Sequence, residues 1–367
     1  MAKTLAGGED KIYELYGDDP KAMAGELLAA ARVEKLIPSG AGVAIKPNLV
    51  IGRPASEGAT THPEIVAGII EFLLDHGHRN IDIIEGSWLG DDTGRAFAVC
   101  GMADLAKRYG VGIHDLKKDA TVSRDTLAGK IKVCRRALEA GFLINLPVLK
   151  GHCQTRVTCA LKNMKGCIPD TEKRRFHRDG LDECIAALAT AIVPHLSVVD
   201  GICGDLDFEE GGNPVRADRM LLGRDPVLLD AYVCALMGIP ASEVGYIPLA
   251  ARYGVGRADL VEGDVVHLNR PRPGSGGAVS GKVRKLARHV DADQACSACY
   301  ANVIHALKRM DEVDGLSGVP RVRVGQGWQG RGGDGVGVGR CCGDGAVAGC
   351  PPAALDIVKA LEAVRGS

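Results

Sequence analysis

Apolar positions along the chain fall into two rhythms. Short unbroken runs read as strands buried on both faces: GVAIKPNLV (42–50), IDIIEGS (81–87), VGIHDL (111–116), FLINLPV (142–148), LSVVDG (196–201) and MLLG (220–223). Between them lie segments with helical spacing, at 11–36, 59–77, 94–108, 155–164, 181–193 and 226–238. The segment ATTHPEIVAGIIEFLLDHG (59–77) is well punctuated, with Thr60 or Thr61 as cap, Pro63 in the first turn and Gly77 at the end. Strand and helix alternate, which predicts an α/β fold: an open, mainly parallel sheet with helices on both faces. Near residue 265 the pattern changes. PRPGSGG (271–277) reads as a linker, and the chain beyond it mixes Gly-rich loops, short strands and helices. The expectation is an α/β domain over 1–270 and a small cysteine-bearing α+β domain over 280–367.

Charge adds a constraint. Across 367 residues, 45 Lys and Arg nearly cancel 46 Asp and Glu, so no global field recruits nucleic acid or an acidic membrane. Aromatics make up 4%, too few for a base-stacking platform. The opening MAKTLAGGED has no apolar leader core, and no apolar run nears the roughly 20 residues that span a bilayer. The expected location is cytoplasmic, with neither nucleic acid nor membrane as partner.

The chain has 13 cysteines. Cys100, Cys134, Cys184 and Cys234 sit in apolar segments and read as small buried hydrophobes. The chemistry-bearing ones lie near the C-terminus: Cys296 and Cys299 as C-x2-C, the adjacent Cys341 and Cys342, and Cys350 in GCPP. Four thiolates suffice for a [4Fe–4S] cluster or, alternatively, a tetrahedral zinc. The proline after Cys350, the glycines at 339, 343, 345 and 349, and the apolar flanks favour the cluster. The expected ligands are Cys296, Cys299, Cys341 and Cys350, with Cys342 as alternate for Cys341.

The stretch LKGHCQTRVTCALKNMKG (149–166) concentrates positive charge after the central strand. Ligands of open α/β sheets bind beyond the carboxyl ends of strands. Lys46 and Asn48 leave one such end, and Lys150 and His152 another, so both pairs are expected in one crevice. Thr61 and His62 open a helix whose N–H groups favour an anion. Lys162, Asn163 and Lys165 close the next helix, and Arg175, His177 and Arg178 lie on an expected loop. Asp200 ends a strand. Asp205, Asp207, Glu209 and Glu210 after it read mainly as a solvated turn, or as a divalent-cation site. The simplest reading is a basic pocket for a small carboxylate or phosphate. His152 or His177 serves as general acid or base, and Lys150 or Lys162 holds developing charge. Lys46, Asn48, Thr61, His62, Asn163, Lys165 and Asp200 bind the substrate. Competing readings are helix-dipole service by Lys162 and Lys165, a metal held by His62, His152 and His177, and a reactive Cys153 or Cys167. No GxxxxGK[ST] loop, no GxGxxG after the first strand and no GxSxG elbow occurs.

Taken as a set, VAIKPNLV (43–50), TTHPEIVAGIIEFLLDHG (60–77), IIEG (83–86), LINLPVLKGH (143–152), TRVTCALKNMKG (155–166), His177 and VVDG (198–201) resemble the domain of unknown function family number 362. The resemblance covers roughly residues 40–265. It implies association with iron–sulfur centres and names no reaction. The chain departs from a common pattern in lacking a ferredoxin-type C-x2-C-x2-C-x3-C-P insert. The expected function is an iron–sulfur oxidoreductase, or a redox partner, acting on a small anion and served by an electron-donor protein. The rivals are a lyase or isomerase with a structural cluster or zinc, and a non-catalytic electron carrier or ligand-binding protein.

Overall fold

The computed structural model describes residues 10–270 and 282–365, so the expected linker at 271–277 lies outside the described residues. The chain divides into two compact units, Met1–Lys173 with Asp182–Val279, and Arg174–Leu181 with Ser280–Ser367.

The strands of the first unit are β1 (Ile12–Tyr16), β2 (Val43–Pro47), β3 (Ile81–Glu85), β4 (Gly112–Asp115), β5 (Thr121–Thr126), β6 (Gly129–Cys134), β7 (Phe142–Leu146), β8 (Lys150–His152), β9 (Arg156–Thr158), β10 (Leu196–Asp205), β11 (Pro214–Gly223) and β12 (Val265–His267). Eight of them form one sheet in the order β12-β1-β11-β10-β7-β2-β3-β4. Pairing is parallel from β10 through β7, β2 and β3 to β4, and between β1 and β12. Within this sheet, among the described residues, only β11 runs antiparallel to its neighbours, β1 and β10. This is the open, mainly parallel α/β sheet that the apolar runs predict. On one face Leu27, Ile65, Ile69 and Leu73, from helices Pro20–Ala30 and Pro63–Asp75, join Ile45, Ile83, Ile144 and Leu222 in one core. Each such fully buried aliphatic side chain contributes about 1.5–3 kcal/mol. The buried Ile185, Leu188, Leu228 and Val233 lie outside that core, on helices Leu181–Ala191 and Pro226–Leu236 of the other face.

Several local expectations are corrected. Residues 11–36 do not begin as helix: IYELY is β1, and the helix starts at Pro20 behind Asp19, whose carboxylate caps the N–H groups of Lys21 and Ala22. Segment 155–164 is not one helix but β9 and a single turn, Ala160–Asn163. The helix Pro63–Asp75 starts on His62 without a side-chain cap, so neither Thr60 nor Thr61 fills that role. β10 does not end near Asp200 but continues to Asp205 through a register shift at Gly201 and Cys203.

In the second unit, β13 (Val290–Ala292), β14 (Val322–Val324) and β15 (Val336–Val338) form a parallel three-stranded sheet. Helices Ser297–Val313 and Ala354–Arg365 pack together beside it. His177 is on the helix Asp170–Asp179 rather than on a loop, in the segment that belongs to this second unit.

Candidate functional site

The charged cluster of the expected crevice gathers where the central strands stop. Pro147 ends β7, and Val148 bridges to Asp200 of β10. The chain then folds back as the β8–β9 hairpin, with Lys150 opposite Thr158 and His152 opposite Arg156. β8 lies close against the loop after β10: a Cβ on Gly151 would stand 2.0 Å from the Leu206 carbonyl oxygen.

Lys150 is fully buried. Its Nζ donates to the Ala59 carbonyl at 2.5 Å, the Glu209 carbonyl at 3.0 Å and Asn48 Oδ1 at 3.1 Å. Burial pulls its pKa down to about 8. Lys162 is also buried and donates to Glu209 Oε1 at 2.6 Å. His152 Nδ1 accepts the backbone N–H groups of Gln154 and Thr155, so the neutral ring carries its proton on Nε2. That nitrogen stands 3.0 Å from Glu209 Oε2, yet it is not aligned to hydrogen-bond with it. Burial and the Lys162 charge lower the His152 pKa to about 4, which keeps the ring neutral at pH 7. Lys165 is partly buried and pulled down to about 7, again chiefly by burial.

Glu209 is the anion among these cations. Burial alone would raise its pKa, but Lys162, His152 and Lys150 outweigh that and hold it well below the ordinary carboxylate range. Its neighbour Glu210 goes the other way, pushed up to about 7 by burial and by the Glu209 charge. An amide chain ties this cluster to the sheet. Asn48 Nδ2 donates to Asn163 at 2.9 Å, Asn163 Nδ2 to Asn145 at 2.7 Å, and Asn145 Nδ2 to the Ala160 carbonyl at 3.0 Å.

The structure therefore gathers Lys150, His152, Lys162, Asn48 and Asn163 through direct contacts. Other expected members are occupied elsewhere. Lys46 makes a buried 2.8 Å ion pair with Glu85, so it does not share the Lys150 cluster. Thr61 Oγ1 accepts from Asn48 N and donates to the Leu146 carbonyl, which stitches the ends of β2 and β7 together. The N-terminus of the helix Pro63–Asp75 already has its anion: Asp200 accepts both the backbone N–H and Nδ1 of His62 at 2.8 Å. Burial lowers the His62 pKa, but the charge and hydrogen bond of Asp200 win and leave it raised. Cys153 and Cys167 are not activated thiols, because burial pushes Cys153 far up and Cys167 to about 12.

In the second unit, Cys296 precedes the helix Ser297–Val313 without a side-chain capping bond, Cys299 is buried one turn in, Cys341 lies in a short turn after β15, and Cys350 is exposed. The Cys299 hydrogen bond brings Cys296 down to about 6. Cys299 is pushed up by that bond, by burial, and by the charges of Cys296, Cys350 and Cys341. Burial, Cys296, Cys350 and Cys342 likewise raise Cys341. Cys342 faces away and donates to the carbonyls of Val338 and Arg323. A Cβ on Gly339 would stand 3.5 Å from Cys299 Sγ, so glycine keeps that sulfur open to approach. Among the described residues, no three or more His, Cys, Asp or Glu side chains are already set to hold a metal ion.

Residues 43–235 match the family model described as domain of unknown function DUF362. The chain belongs to that family. The DUF362 match takes in every crevice residue from Lys46 to Glu210, whereas the C-terminal cysteines lie beyond it. A thylakoid-associated protein of Synechocystis sp. is 28% identical over 256 residues, covering 63% of this chain and 76% of that protein. The solved structure of the lactate racemase apoprotein from Thermoanaerobacterium thermosaccharolyticum is similar at a TM-score of 0.41 and 13% identity, over 63% of this chain and 58% of that one. In this DUF362 chain no helix among the described residues is long and apolar enough to cross a membrane.

Sequence reasoning placed Glu209 in a solvated turn or a divalent-cation site and missed it as the counterion of the crevice lysines. The signal was a charge imbalance: Lys150, His152, Lys162 and Lys165 surround a strand end almost without acids, so an acid had to come from elsewhere.

Proposed function

We propose that this DUF362 protein is an iron–sulfur redox protein, an oxidoreductase or the redox partner of one, that binds a small anion in the Lys150–Lys162 crevice. The observation that carries the reading is in the second unit. Cys296, Cys341 and Cys350, from three separate segments, all lie near enough to Cys299 to raise its pKa, while the Cys342 thiol is taken up by the carbonyls of Val338 and Arg323. Those four would hold a [4Fe–4S] cluster, and the lowered Cys296 pKa suits a thiolate ligand. Such a cluster takes up and gives out single electrons, supplied by a donor protein. The crevice residues do the rest. Lys162, with the buried charge of Lys150 behind it, holds negative charge on the anion, and the neutral His152 Nε2–H is a hydrogen-bond donor toward it. Thirteen free cysteines fit a reducing compartment, the cytoplasm. The relative named for thylakoid association makes a membrane surface the competing location.

The test is anaerobic purification with iron, acid-labile sulfide and zinc counted per chain, and EPR after dithionite reduction. About four irons and four sulfides are expected. Cys296→Ser, Cys299→Ser, Cys341→Ser and Cys350→Ser should each lose or alter the reduced-cluster signal, and Cys342→Ser should keep it. One zinc and no iron would overturn the redox reading and leave the four thiols as a structural staple.

A further inference from the structure

We infer that Glu209 stands in for the ligand: its carboxylate fills the place taken by the carboxylate of a small organic acid, and the loop carrying it must withdraw when that acid binds. The inference rests on reading the crevice as an anion site, and it names the anion's class.

Four observations carry it. First, the cations and amides of the crevice sit at strand ends or in the turn behind β9, whereas Glu209 comes from outside, on the loop between β10 and β11. Asp205 pre-shapes that loop by accepting the N–H groups of Asp207, Phe208 and Asn213 at 2.9 Å each. Second, Glu209 is held as a free carboxylate would be, with one oxygen 2.6 Å from Lys162 Nζ and the other 3.0 Å from His152 Nε2. Two planar oxygens facing two polar hydrogens is how a free carboxylate would lie, although only the Lys162 contact is a hydrogen bond. Third, the fit is incomplete. The fully buried His152 Nε2 points at Glu209 without making an aligned bond. A tethered carboxylate has its approach set by the loop, and a free one does not. Fourth, among the described residues Glu209 is the one acid in contact with Lys162 and His152, while Glu210 and Asp205 act on Lys150 through charge alone. Glu210 is raised to about 7 and its Oε2 has no hydrogen-bond partner. Buried Lys150 and Lys162 with their counterion gone are a strong demand for another anion. The Glu209 side chain is 14% exposed and the loop reaches the surface at Gly212 and Asn213, with Gly211 and Gly212 at φ +74 and +117 directly behind the acids.

The experiment is calorimetric titration of sodium acetate, and separately of inorganic phosphate, into the full chain and its Glu209→Ala, Glu209→Gln and Lys162→Met variants. Acetate should bind Glu209→Ala roughly tenfold or more tightly than wild type, because it no longer competes with an internal carboxylate. Acetate should also raise the lowered Tm of that variant in a saturable way. If Glu209→Ala does not fold, the isosteric Glu209→Gln is read in its place, with a gain in the same direction. A variant that binds acetate no better than wild type, or that prefers phosphate, overturns the inference. If wild type binds an anion, Lys162→Met loses it and the Glu209 variants gain nothing, the crevice reading stands and the stand-in fails. If no variant binds either anion, both fall.

Discussion

Lys165 is an ammonium group kept where charge is costly. In the unfolded chain it titrates near 10.5, in the fold near 7. Between those values the unfolded state binds more protons, so this residue makes stability rise with pH across that window. Lys165→Met is expected to flatten the rise, seen in urea midpoints between about pH 7 and 10. Equal slopes in variant and wild type would show that the lysine is freely hydrated. The Lys46–Glu85 pair poses a different problem. Both side chains are buried, Glu85 Oε1 also takes the Gly86 N–H, and its Oε2 lies within reach of the Leu49 N–H. Glu85→Ala should cost about 3–5 kcal/mol in a urea melt, because an uncompensated Lys46 remains. Lys46 was legible as a strand-end lysine, but its partner was not. Glu85 reads as one more acid after an apolar strand, and only the parallel pairing of β2 with β3 brings the two together.

At the scale of elements, the site depends on β8 lying close to the loop after β10. Gly151 and Gly204 make this possible, since a Cβ on either would come within 2.0 Å of a facing carbonyl oxygen, that of Leu206 or of Leu149. Gly151→Ala is expected to destabilise by about 2 kcal/mol or more and to weaken anion binding, measured together by urea melt and acetate titration. Loss of stability with unchanged binding would separate this contact from the site. The central strands were readable because burial on both faces makes VAIKP, IDIIE and FLINL continuous apolar runs. β1 was not, because the spacing of IYELY also suits a helix and the true start signal is Asp19 before Pro20. The β5–β6 hairpin escaped too, since most of its side chains face water and leave no apolar rhythm. The crevice cations were visible at strand ends. Their counterion was not, because EEGGN has turn chemistry and its burial is decided by residues far away in sequence.

For the molecule as a whole, the cluster reading has a measurable consequence in hydrogen exchange. Chain purified without iron should exchange faster from Val336 to Cys350 than iron-loaded chain, with β7 as the internal reference. Equal protection in both preparations would mean that the cysteine segment is ordered without metal.

The pairing of β1 bears on how the chain is made. This strand precedes the other described strands in the chain, yet its partners in the sheet are β11 and β12. Its buried Glu14 waits for Arg219, 205 residues later. At roughly 5–20 residues per second, a ribosome takes ten seconds or more to deliver that partner. For all of that time IYELY lacks its partners in the sheet, while β2, β3, β4 and β7 already have one another to fold against. Ribosome stalling before β11 therefore leaves β1 without its sheet partners and exposed to chaperones and proteases.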